Sequence, residues 1–237
     1  MCSRYLLNRF KVDNGIKLAG FKVAKKSKRD VDFDCVKQIL CVNLLYKCDI
    51  LKKVNIAVVI GDGYGYMTAL LKTILPGATI ICINLGRILF FDVYYIGNNF
   101  PDLEFSLNSM ENREGRLIFW EAEKAQALFS YPVDLFINIA SMQEMDMDTI
   151  HNYFNMMRSG GGAGYFYCCN RVEKMLPDKS IIRFDAYPWD RGDEIVLDEM
   201  CPWYQKFPIL KPPFWKAFDG PTQHRLVKLC KQGSSRN

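Results

Sequence analysis

Three glycines at alternate positions, Gly61, Gly63 and Gly65, follow the apolar run Ile56-Ala57-Val58-Val59-Ile60 and form the segment Gly61-Asp62-Gly63-Tyr64-Gly65. Residues of this type and spacing can cradle a nucleotide. Glycine lets the backbone turn sharply and approach a ligand closely, and a helix N-terminus behind the turn offers it unpaired N–H groups. A dinucleotide turn requires G-x-G-x-x-G, whose last glycine permits close helix-to-strand packing. Here that position is Tyr66, a bulky phenol, and Gly65 arrives one residue early. A nicotinamide-dependent oxidoreductase is therefore a disfavoured alternative, and a plain tight connection is the ordinary one.

The elements that must hold this loop alternate along the chain as in an α/β, doubly wound, mostly parallel sheet. The β-branched run 56–60 suits a strand covered on both faces, and Tyr66–Lys72 has helical composition. Periodic Val36, Ile39, Leu40, Val42 and Leu44 predict a helix over about 32–49. Further strands are expected at Thr79–Ile83, Arg116–Trp120, Asp134–Ile139 and Tyr165–Cys168, with helices over 86–97 and after Asp148. Asp148 reads as the N-cap of that last helix, whose stripe is Ile150, Tyr153, Phe154 and Met157. Glycines 160, 161, 162 and 164 are expected to end it. A strand from His224 to Leu229 is expected near the C-terminus, antiparallel to the rest.

The 237 residues are 49% hydrophobic, enough for a sizeable core. No apolar stretch reaches the roughly 18 residues that span a bilayer. The N-terminus lacks a signal-peptide pattern, and nine scattered cysteines without a CxxC pair read as reduced thiols of a cytoplasmic protein. Residues 1–29 hold nine Lys or Arg against one Asp, a net +8, so the remainder carries −3 of the chain's +5. The division expected is a basic N-terminal extension over 1–30 and a catalytic domain over 31–237. The arm could meet phosphates of a nucleotide- or lipid-linked substrate, give peripheral contact with an anionic membrane, meet nucleic acid, or be a solvated segment. The acidic remainder argues against a nucleic-acid enzyme.

The G-x-G-x-G spacing resembles motif I of class I S-adenosylmethionine-dependent methyltransferases. Further phrases resemble a bacterial family assigned as sugar O-methyltransferases. They are Val59–Gly65, Asn138–Met145, Cys168–Arg171, Tyr187-Pro188-Trp189, Cys201-Pro202-Trp203, and Phe218–Thr222 with His224-Arg225. The resemblance runs over about residues 56–229. It implies a Rossmann-like methyltransferase domain, S-adenosyl-L-methionine as cofactor, and a sugar or glycan hydroxyl as acceptor, nucleotide- or lipid-linked, in surface polysaccharide biosynthesis. The chain could also be one part of a larger polysaccharide-assembly enzyme.

In such a sheet the ligand crosses the carboxyl ends of the strands. The cofactor is expected on Gly61, Asp62, Gly63, Tyr64 and Gly65, on Asn84 and Leu85, on Glu121 and Ala122, and on Asn138. Asn84 stands where the family usually has a carboxylate for the ribose, and Val59 where an acid often precedes the first glycine. An amide holds a hydroxyl less strongly than a carboxylate, and Glu121 or Glu123 could supply the missing acceptors. These departures keep open a methyltransferase-like nucleotide-binding protein without catalysis.

Methyl transfer to an alcohol needs alignment, exclusion of water and removal of a proton. Candidate bases are Glu144, after the fourth strand, and His224, whose ordinary pKa range suits the task. Gln143 could orient the hydroxyl. His151 is a less favoured candidate. Tyr187, Trp189, Asp190 and Trp203 are expected to bind the sugar, rings against its C–H faces and the carboxylate on its hydroxyls. Each has an ordinary alternative: a solvated carboxylate for Glu144, a ring bonded to a nearby carbonyl for His224, and core packing for the aromatic residues. No metal is assigned, although Asp190, Asp193 and Glu194 cluster in one loop.

Overall fold

The computed structural model of the protein describes residues 2–159, 164–209 and 211–231. Helices α1 (Cys2–Arg9), α2 (Asn14–Lys26) and α3 (Phe33–Lys47) lead into β1 (Ile56–Ile60). Alternating elements follow: α4 (Tyr66–Ile74), β2 (Thr79–Asn84), α5 (Gly86–Asn99), β3 (Phe105–Leu107), β4 (Leu117–Glu121), α6 (Ala125–Leu128), β5 (Leu135–Ile139), α7 (Met147–Ser159) and β6 (Tyr165–Arg171). The C-terminal part is strands with one short helical turn at Phe184–Ala186: β7 (Glu173–Met175), β8 (Ile181–Arg183), β9 (Glu194–Met200), β10 (Lys206–Pro208), β11 (Trp215–Ala217) and β12 (Thr222–Lys228).

Eight strands form one sheet in the order β3-β4-β2-β1-β5-β6-β12-β9. The six from β3 to β6 run parallel, and β12 lies antiparallel between β6 and β9. The sheet is thus doubly wound and mostly parallel, with the antiparallel strand near the C-terminus. Its order reverses between β1 and β5, which puts the switch point directly above Ile60 and Ile139.

Side-chain alternation along each strand divides the core between two faces. Ala57 and Val59 of β1, with Tyr167 and Cys169 of β6, pack under α1–α4. Ile56, Val58 and Ile60, with Phe166 and Cys168, pack against α6 and α7. Strands buried on both sides read as continuous apolar runs, which is why 56–60 and 79–83 were legible.

The basic N-terminal segment folds as two helices laid on this core. Leu6, Leu7, Val12, Ile16 and Val23 are buried in the α1–α4 face, and Asp13 caps α2 by accepting from the amides of Gly15 and Ile16. The cap of α7 differs from the expectation. Asp146 Oδ1 accepts from the Thr149 amide at 2.7 Å, so Asp146 closes the helix and Asp148 lies in its first turn. An acid two residues earlier satisfies the same donors. Of the glycines expected to end α7, 160–162 lie outside the described residues.

Candidate functional site

The carboxyl ends of β1, β2, β4 and β5 line up across the switch point. Ile60 is paired with Ile83, Asn84 with Glu121, and Ile60 with Asn138. With neighbouring strands about 4.8 Å apart, Gly61, Leu85 and Ala122 stand side by side over roughly 10 Å.

All three loop glycines take positive φ: Gly61 at 72°, Gly63 at 81° and Gly65 at 72°. A Cβ on Gly61 would sit 2.3 Å from Ser141 Oγ, and one on Gly65 would meet Ile96 at 2.8 Å. At Gly63 a Cβ would meet nothing within 4 Å. Gly61 and Gly65 are therefore required by close packing, and Gly63 by backbone conformation beside open space.

Asp62 does not face that space. Its carboxylate accepts from the Met67 amide at 3.0 Å and the Thr68 amide at 2.7 Å, capping α4. Tyr66, the residue that disfavours a dinucleotide turn, is buried and donates its hydroxyl to Gly20 O at 3.0 Å. A tyrosine fits because α4 docks on α2 there.

Asn84 is also turned inward. Its Nδ2 donates to Asp92 Oδ2 at 2.8 Å and its Oδ1 accepts from the Leu85 amide at 3.0 Å. Both polar ends of the amide expected to hold the ribose are committed within the protein. Asp92 is fully buried, and its Oδ1 has no hydrogen-bond partner among the described residues. Burial, then the charge of Asp62, pushes the Asp92 carboxyl up to about 7. Burial raises Asp62 as well.

Asn138 is likewise fully buried, with Nδ2 donating to Ile60 O at 3.0 Å and to Ser141, and Oδ1 accepting from Met142 N and Asn170 Nδ2. It ties the loops after β1, β5 and β6 together. Glu121 pairs with Lys124 at 2.5 Å, and that hydrogen bond holds its carboxyl below the ordinary range. Tyr64 is exposed.

Leu85 and Ala122 are brought together at the rim of an open cleft of about 590 Å³, with Glu123, Gln126, Asn152 and Tyr153 also lining it. A second, narrow cavity of about 20 Å³ lies at the switch point among Gln38, Gly61, Asp62, Met67 and Ile139. Gln38, on α3, was not singled out from the sequence, where its helix was read from apolar positions alone. Its Oε1 is buried without a partner among the described residues, a situation that costs free energy unless a ligand donor meets it. The open cradle at Gly63, the buried acceptor of Gln38 and the cleft at Leu85 and Ala122 are the features at this end of the sheet that leave room for a ligand.

Of the two candidate bases, Glu144 is exposed and His224 is buried. Glu144 is exposed at the carboxyl end of β5. Gln143 Nε2 donates to its Oε1 at 3.4 Å and Lys174 Nζ lies 3.3 Å from the same oxygen. Gln143 is held by the Arg171 amide on its Oε1 at 2.7 Å and by its own amide on Asn170 Oδ1 at 3.2 Å. His224 is fully buried. Its Nδ1 shares a 3.0 Å hydrogen bond with the Tyr167 hydroxyl, its Nε2 lies 3.3 Å from Glu199 Oε1, and Trp203 covers the ring edge-on at 5.2 Å. It cannot touch an acceptor. Burial alone would lower its pKa, but the partnership with Cys201, then Glu199, raises it. Cys201 answers: burial would raise its thiol, yet hydrogen bonds from Cys169 and His224 bring it down to about 6. His151, exposed, bonds Met147 O at 2.7 Å.

The aromatic set divides between the two faces of the sheet. Tyr187 and Trp189 pack with Phe154, Phe166 and Phe184 on the α7 side, where the Trp189 indole donates to Phe184 O at 2.9 Å. They are core. Asp190 is exposed and its Oδ1 closes a turn on the Gly192 amide. Trp203 lies on the opposite face. Among the described residues no group of three or more His, Cys, Asp or Glu is placed to hold a metal ion. Asp193 is instead consumed by Arg158, which donates to both carboxylate oxygens at 2.6 and 2.7 Å.

No family model and no curated protein matches the sequence. Solved structures do match the fold. Thermoplasma acidophilum 1320 has a TM-score of 0.56 at 9% identity, covering 94% of this chain and 100% of that one. The mitomycin 7-O-methyltransferase MmcR has a TM-score of 0.50 at 9% identity, covering 87% of this chain and 60% of its own. The fold is the methyltransferase fold. A proposed RNA methyltransferase of Pyrococcus horikoshii shares it as well, with a TM-score of 0.50 at 12% identity over 83% of this chain and 84% of that one. Among the described residues no helix is long and apolar enough to cross a membrane.

Proposed function

We propose that this protein is an S-adenosyl-L-methionine-dependent O-methyltransferase acting on a sugar hydroxyl. The observation that carries the cofactor is the cavity at the switch point that Gln38, whose Oε1 is buried without a partner among the described residues, shares with Gly61 and Asp62, next in the chain to the open, positive-φ Gly63. Gln38 and the turn Gly61–Gly63 hold the methionine end, and Leu85 with Ala122 brackets the base. Glu123, at the rim of the same cleft, takes the ribose role that Asn84 has given up to Asp92.

When bound, the cofactor supplies an electrophilic methyl group. The chain's part is placement and proton removal. Glu144 stands at the end of β5 with its carboxylate oriented by Gln143 and Lys174, and it accepts the proton of the acceptor hydroxyl. Gln143, itself fixed by β6, keeps that carboxylate in place.

The commitment of Asn84 to Asp92 favours a second reading, a cofactor-binding protein without turnover. Calorimetric titration with S-adenosylhomocysteine, followed by assay on a panel of sugars and glycans, separates the two. Failure to bind at millimolar ligand sinks both, and binding without methylation of any acceptor leaves the second.

A further inference from the structure

On the α1–α3 face, away from the cleft at Leu85 and Ala122, a groove of about 730 Å³ runs between α1 and the segment after β9. Its lining includes the rings of Tyr5, Phe33, Trp203 and Trp215 and the cations Arg9 and Lys206, with no carboxylate. Tyr5 and Arg9 are one helical turn apart, so a single face of α1 presents both. Neither Arg9 nor Lys206 forms an ion pair among the described residues; Arg9 rests against the Phe10 ring at 5.8 Å. Trp203 is 7% exposed and its indole N–H has no acceptor among the described residues.

This lining has a specific chemistry. Aromatic faces take the C–H face of a sugar or a planar base, unpaired cations take phosphate, and an indole donor left without an acceptor is an expense that a ligand oxygen would relieve. We infer that the groove binds a ring-bearing phosphate ester, a sugar joined to phosphate, as the anchoring subsite of the acceptor.

The groove's place in the fold fits that role. Phe33 in the groove and Gln38 in the cofactor cavity sit on the same helix α3. They are five residues apart, roughly 7.5 Å along the axis. A ligand held in the groove by its phosphate reaches the cofactor by extending past the first turns of α3. The groove also gives the basic N-terminal segment a use: Arg9 brings one of its charges to the substrate. Placement of the acceptor rests on the methyl-transfer reading; binding in the groove does not.

Titration of the full chain with glucose, inorganic phosphate, glucose 1-phosphate and UDP-glucose, followed by tryptophan fluorescence and calorimetry, tests this. A phosphorylated sugar is expected to saturate, with glucose and phosphate alone weaker by about tenfold or more. Arg9→Ala and Lys206→Ala should each weaken it by roughly fivefold, more so at low salt, and Trp203→Phe should weaken it while keeping the ring. UDP-glucose binding well ahead of glucose 1-phosphate marks a nucleotide-linked ligand, and equal binding marks a simple sugar phosphate. Absence of saturation with both esters, phosphate binding as tightly as they do, or unchanged affinity in both cation variants would overturn the inference. S-adenosylhomocysteine is titrated on the same samples. Binding of it without the esters removes the groove inference alone, and the reverse removes the methyltransferase reading and the acceptor role with it, leaving the groove as a sugar-phosphate site.

Discussion

Asn84 donates its amide to the buried carboxylate of Asp92 across 2.8 Å, and through that bond the end of β2 is tied to α5 beneath the glycine loop. Asp92 lies close enough to Asp62 for each to feel the other, and burial pushes it up to about 7. An ordinary unfolded aspartate titrates near 3.9. The folded protein therefore holds more protons than the unfolded chain between about pH 4 and 7, and this part of its stability is lost as pH rises through that window. Asp92→Asn keeps the shape and the acceptor for Asn84 without the charge. Its melting temperature should exceed the parent's at pH 8, the gap closing toward pH 5. Parallel melting profiles for the two proteins would show that Asp92 is not protonated near neutrality.

Placing at the end of β2 the acid that class I methyltransferases, which the loop resembles, usually carry there should be harmful here. Asn84→Asp sets a carboxylate against Asp92 in place of a donor. Its melting temperature at pH 8 should fall by several degrees, at about 2–4 °C per kcal/mol for a chain of this size, and recover partly at pH 5.5. A variant as stable as its parent at both pH values would contradict the inward placement of Asn84.

Cofactor affinity should depend on Gly63 and Gln38 for different reasons. Gly63→Ala adds a methyl group beside the open cradle and strains a φ of 81°, a cost of roughly 1–2 kcal/mol for an L residue. Gln38→Leu preserves volume but removes the orphan acceptor. Calorimetry with S-adenosylhomocysteine should show each about tenfold weaker than the parent, with Gln38→Leu as thermally stable as the parent or more so. Parental affinity in both variants would move the cofactor away from the loop.

Glu144→Gln removes the proposed base while leaving an amide that can still bond Gln143. Loss of a general base costs about 10²–10⁴ in rate. Turnover should fall within that range with S-adenosylhomocysteine affinity unchanged. A rate within twofold of the parent would assign the proton to another group.

The parallel core was legible because strands covered on both faces leave uninterrupted runs such as Ile56–Ile60, and because three alternating glycines mark the turn after β1. The site's polar interior was not. Whether Asp62, Asn84 and Asn138 face a ligand or the protein is decided by partners far away in sequence or one turn along a helix, and the same residue types serve both ends. The aromatic residues of 187–218 share a composition that says nothing of which sheet face receives them: the chain crosses over between Trp189 and Trp203. His224 stands out for its ordinary pKa range, but that range belongs to a solvated ring, and its neighbours Tyr167, on β6, and Cys201, just after β9, are far away in sequence. The small β3 and the hairpins of the C-terminal part are three-residue strands, too short for a period to show.

Arg158 and Asp193 fasten the end of α7 to the loop before β9, and both side chains are almost wholly buried. Burial alone would raise the Asp193 carboxyl. The Arg158 guanidinium, with the amides of Cys230 and Asp190, outweighs it and holds the group below the ordinary carboxylate range. That contribution is present above about pH 4, where an unfolded aspartate is ionised, and is lost as pH falls through the lower folded value. Removing one partner leaves the other charge stranded, so Asp193→Ala should cost about 3–5 kcal/mol at pH 7 and lower the melting temperature by on the order of 10 °C. Replacing both, Arg158→Met with Asp193→Leu, should recover part of that loss, because no charge is then left buried. A double variant that melts no higher than Asp193→Ala would show that hydrogen bonds to the Cys230 and Asp190 amides, rather than charge pairing, hold this corner.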